Sequence, residues 1–231
     1  MATRLPRGIA AHMLARSMNP AGPDDLSYLS QTRLRAMLRA SEAIGSAVGE
    51  MAAKGSHPVA EALRGAANFA LEAHYPDGDV FDVESGAQYY YHAHRADTPE
   101  HGHFHSFARR GDGPSHLVAV SMDSWGQPLA LFTVNRWVTG DTWRPAAAVC
   151  SLLDGFRFAE QTPLSQWLSA ILVLYRPDIE GLIEARDVVI DKRRRERPGD
   201  DVLEDRGLEV TARIAINHER QVRRVQRTLG T

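Results

Sequence analysis

Five of the ten histidines, His92, His94, His101, His103 and His105, fall in one short stretch, YYYHAHRADTPEHGHFHSF, which runs from Tyr89 to Phe107. A neutral imidazole is the commonest side-chain ligand for transition metals and also the group that titrates nearest neutral pH. Side chains alternate across a β-strand, so His92 and His94 share one face of their strand, as do His103 and His105. If the two strands pair around a loop at residues 95–102, the spacing predicts His94 opposite His103 and His92 opposite His105. Directly opposed Cβ atoms lie about 4.5–5.5 Å apart. Four rings would then stand on one patch, close enough for two or three to meet a divalent transition metal at about 2.0–2.1 Å.

Glu100 lies in the connecting loop, where it would serve as a metal ligand or a general base. Two or three histidines with one carboxylate make a site that leaves positions open for water or a small-molecule substrate, and iron, zinc and copper all suit such donors. Asp97 or Asp123 would orient the rings from outside. Tyr90 falls on the histidine side of its strand and is a candidate proton donor. Arg95, just past His94, and Arg136, in NRWVTGDTW (residues 135–143), are candidates for holding an anionic ligand. An enzyme built this way would activate water or dioxygen against a small molecule near Arg136. A second reading, of another class, is a non-catalytic ligand-binding or sensing module in which the histidines take haem or an anion, or report pH.

His92, His94, Glu100 and His105, in that order, resemble the first cupin motif, in which His-x-His is followed by Glu and a later His. The interval from His94 to Glu100 is longer than in that motif, its glycine-framed spacing is absent, and the long flanking helices differ. The resemblance implies metal chemistry and not the cupin fold. The pattern YYYHAHR…EHGHFHSF with NRWVTGDTW downstream is similar to a family of bacterial proteins of unknown function. That similarity implies one bacterial domain over most of the chain and carries no activity.

The elements that would position these residues follow from periodicity. Leu34, Leu38, Ile44, Val48 and Met51 recur at helical spacing across residues 32–51. Pro58 opens a second helix expected to reach His74, and the acidic YPDGDVFDVESG after it reads as a loop. Four short segments follow: QYYYHAH, HFHSFAR, HLVAVSMD and PLALFTVN. They are β-branched or aromatic and are separated by Gly/Pro/Asp turns, which predicts an antiparallel four-strand meander. Helices return with Thr162 as a cap and Pro163 in the first turn, and Pro177 opens another that ends in KRRRER. LEVTARIAI alternates with period two, which predicts a late strand, and Asn217 then caps a final helix to about Leu229. The expected fold is α+β: an antiparallel sheet of about five strands packed with N- and C-terminal helices, in a single domain over 1–231 with residues 1–23 a loosely ordered leader.

Composition narrows the classes. A formal net charge of −2 over 231 residues supplies no field for nucleic acid, and KRRRER reads as a solvated helix end. No apolar run approaches the roughly 18 residues of a membrane span. Cys150 is the one cysteine, which excludes an internal disulfide or a thiolate cage and suits a cytoplasmic protein; its apolar setting predicts an inert thiol. There is no P-loop, dinucleotide fingerprint or Gly-x-Ser-x-Gly elbow. The oligomeric state is left open.

Overall fold

A computed structural model describes residues 25–94 and 99–230 of the chain. The expected leader, Arg95 and Asp97 lie outside those residues. Helix α1 (Gln31–Ala52) starts where the Ser30 hydroxyl accepts the Arg33 N–H, and it buries Leu34, Met37, Ala40, Ile44, Ala47 and Met51 along one stripe. Helix α2 (Pro58–Ala62) is far shorter than the helix to His74 expected from the sequence. Gly65 turns into the left-handed region at φ 83°, and beyond it the Tyr75 hydroxyl accepts the Ala70 N–H at 2.6 Å and donates to the Asn68 carbonyl at 3.2 Å. These backbone groups are spent on Tyr75 rather than on a helical ladder.

The sheet has six strands, one more than expected: β1 (Tyr75–Phe81), β2 (Ala87–His92), β3 (Gly102–Arg109), β4 (Pro114–Met122), β5 (Pro128–Val134) and β6 (Val210–Ala215). All pairs are antiparallel, and the spatial order is the chain order. The additional strand is the acidic segment read as a loop. It forms one edge of the sheet, broken by an irregularity between Tyr75 and Val80; Asp77 is exposed, and Asp79 accepts from the Gln88 side chain at 2.8 Å. Charges, a proline and a bulge are what an edge strand carries to avoid pairing with other chains.

Five further α-helices follow among the described residues: α3 (Arg136–Thr139) and α4 (Ala146–Leu152), then α5 (Pro163–Leu174) and α6 (Arg176–Glu196), with α7 (His218–Leu229) last. Thr162 and Ser165 cap the start of α5 reciprocally, and the Asn217 side chain accepts the Arg220 N–H to start α7. One face of the sheet buries Tyr89, Tyr91, Phe104, Val118, Val120 and Leu131 in the main apolar cluster with residues of α1, α5 and α6. The other face carries Tyr90, His92, His103 and His105, with a smaller cluster of Ala119, Phe132 and Val134 beside them. Among the described residues no helix is long and apolar enough to cross a membrane.

Candidate metal centre

The β2–β3 hairpin sets the geometry. His92 pairs with His103 and Tyr90 with His105, so the register differs by two residues from the one expected, which set His94 opposite His103. A two-residue slip leaves every side chain on its own face, so alternation cannot distinguish the two registers. Close packing at the strand end decides it. A Cβ at Gly102 would stand 2.5 Å from both the His92 carbonyl oxygen and the Tyr91 hydroxyl, so β3 begins where only glycine fits. His101 Nδ1 lies 2.6 Å from the same hydroxyl.

His92, His103 and His105 are buried, and one ring nitrogen from each lies within 4.8 Å of the others. The His92 and His103 Nε2 atoms face one another at 2.9 Å. They can share one proton or one cation, and they cannot both carry a proton. Burial, then the neighbouring rings, lowers the His92 pKa to about 3, and the same causes hold His105 well below the ordinary imidazole range. His92 and His105 are therefore neutral donors at physiological pH.

Glu100 approaches the site from the loop, as a support to His103. Its Oε1 lies 2.7 Å from His103 Nδ1, and its Oε2 accepts from the Ser121 hydroxyl and lies 3.4 Å from Arg213 Nη2. Burial would raise this carboxyl, but the hydrogen bonds from His103 and Ser121 and the charge of Arg213 outweigh it and hold it at about 2. With Nδ1–H given to Glu100, His103 keeps its Nε2 lone pair facing His92. That is the carboxylate–histidine arrangement that commonly stands behind a metal ligand. Two buried nitrogens of this cluster, His92 Nδ1 and His105 Nε2, have no hydrogen-bond partner among the described residues. Buried polar atoms without partners are uncommon.

His94 sits at the rim, partly exposed, with its ring 4.4 Å from that of His92 and its Nδ1 2.6 Å from Glu72 Oε1. Tyr90 is buried between the His74 ring, stacked at 3.6 Å, and that of His105 at 5.1 Å; burial raises its phenol pKa. The Arg136 guanidinium is shared between Glu204 at 2.8 Å and Asp201 at 3.4 Å. Its neighbours serve the fold: Asn135 caps α3, and Trp137 Nε1 donates to the Leu208 carbonyl. Asp123 spends one carboxylate oxygen on the backbone N–H groups of Trp125 and Gln127, closing a turn. Cys150 is half-buried, and burial pushes its thiol up to about 11.

Three functional neighbours escaped the sequence reading. Ser121 and Arg213 reach Glu100 from β4 and β6, contacts made across the sheet that local spacing does not reveal. The third is His116, whose Nε2 lies 3.0 Å from His105 Nδ1. Counting back from Ser121 and Ala119 by twos would put Leu117, not His116, on the histidine face. An irregularity in the β3–β4 pairing, where Ser106 faces Val118 but Phe107 faces His116, turns Leu117 into the main core and His116 toward His105.

Residues 38–216 match the model of a family described as a domain of unknown function, DUF6969. No curated protein and no solved structure matches the chain.

Proposed function

The chain belongs to the DUF6969 family, and we propose that it is a metal-binding protein whose sheet-borne histidines hold a divalent transition-metal ion. His92, His103 and His105 are the ligands, and Glu100 orients His103 from behind. The observation that carries this reading is the buried trio of ring nitrogens within 4.8 Å, two of whose histidines leave a buried nitrogen without a partner. Three neutral imidazoles satisfy iron, zinc or copper, and they leave coordination positions for water or a small molecule. A metal held so would lower the pKa of bound water or polarise a bound oxygen, which is the basis for an enzymatic role on a small molecule.

Metal analysis of tag-free protein by mass spectrometry, as purified and after reconstitution with each ion, tests the reading and identifies the metal. Stoichiometric metal is expected in the wild type and little in the His92→Ala/His103→Ala double variant. Equal and negligible metal in both proteins would overturn the proposal.

A further inference from the structure

The two ring nitrogens that meet between His105 and His116 share a single proton, because they face each other at 3.0 Å with both rings buried. Two arrangements satisfy the contact, and they have opposite consequences for the trio. If His116 Nε2 donates, His105 carries its own proton on Nε2, and that nitrogen cannot bind a cation. If His105 Nδ1 donates, its Nε2 presents a lone pair. That Nε2 is the buried nitrogen with no partner, and it is the one that His116 leaves available to the trio.

We infer that His116 is a positioning residue of the metal centre: it accepts the Nδ1 proton of His105 and so turns the His105 Nε2 lone pair toward the ion. The inference rests on the metal reading above and extends it. His116 then does for His105 what Glu100 does for His103, with a neutral ring in place of a carboxylate. Its own place is held by Asp141, a buried side chain whose Oδ2 accepts the His116 backbone N–H at 2.9 Å and whose Oδ1 accepts from the Thr139 hydroxyl at 2.7 Å. The bond to Asp141 falls at the irregular position in β4, where the ladder to β3 is interrupted. The NRWVTGDTW segment thus joins the centre through Asp141.

Long-range proton–nitrogen NMR on histidine-labelled wild-type protein reads the tautomer of His105 directly, and zinc alone is the probe ion. The expected spectrum shows His105 protonated at Nδ1, both metal-free and zinc-loaded. Zinc affinity by chelator competition should fall about 10–100-fold in His116→Phe, which keeps a ring and removes the acceptor. His116→Gln, whose amide oxygen can accept the same proton, should recover part of the loss. His105 protonated at Nε2, or wild-type affinity in a folded His116→Phe, would overturn the inference. The NMR measurement needs no variant, so it stands even if the substitutions misfold. A wild type that takes up no zinc yet shows the Nδ1 tautomer would remove the metal reading while supporting the orienting bond.

Discussion

Among single residues, Glu100 makes the clearest prediction. Glu100→Gln keeps an oxygen for His103 Nδ1–H but loses the charge that pairs with Arg213. Removing such an orienting carboxylate commonly costs about 10-fold or more in metal affinity, so competition with a chromophoric chelator should show weaker binding with the fold intact by circular dichroism. At this scale the sequence was partly legible. Alternation placed His92, His103 and His105 on one face because each strand is regular where they sit. His116 was hidden by one extra residue, Leu117, since a bulge reverses the parity on which such counting depends.

Elements were legible where their signals are local. The capping residues Ser30, Thr162 and Asn217 each stand at the start of a helix. Asn217 and Thr162 were readable because the cap and the apolar period adjoin. The edge strand β1 was not, because most of its side chains are at least partly exposed and it pairs with β2 alone. The hairpin register was equally hidden, being set by the contact of Gly102 with Tyr91 and the His92 carbonyl. Gly102→Ala tests that contact. The added methyl must displace backbone or a buried tyrosine, and overpacking of this kind costs about 1–3 kcal/mol. Urea denaturation should show a lowered midpoint, and a variant as stable as wild type would mean that something else sets the register.

For the whole molecule the buried rings couple stability to pH. The folded state keeps His92 neutral down to about 3 and His116 neutral down to about 4, in each case chiefly through burial, whereas the unfolded chain protonates its histidines near the ordinary value of 6.5. Between those limits the unfolded chain binds more protons, so stability is complete above about 6.5 and declines as pH falls toward 4 and 3. Glu100, held at about 2, adds a further loss below its ordinary value of 4.5. Calorimetry of metal-free protein should therefore record a melting temperature that falls steadily from neutral pH to pH about 4.5, and a flat profile would contradict the burial of these rings. Metal that binds only the folded chain should offset part of this fall. Free ion at a hundred times its Kd stabilises by about 2.7 kcal/mol, and the gain should vanish in His92→Ala/His103→Ala.

The three proposed ligands lie on a single hairpin, His92 on β2 and His103 and His105 on β3, while β5 and β6 join across the whole run of helices from Val134 to Val210. Contacts close in sequence form faster than those that must first close a long loop. The centre can thus assemble while the far edge of the sheet is still open, and an ion arriving then would guide the chain as it folds instead of entering a finished protein. Stopped-flow refolding with zinc present should be faster than refolding in chelator, and the difference should disappear in the double variant. Equal refolding rates would mean that the ion enters only after the chain has closed.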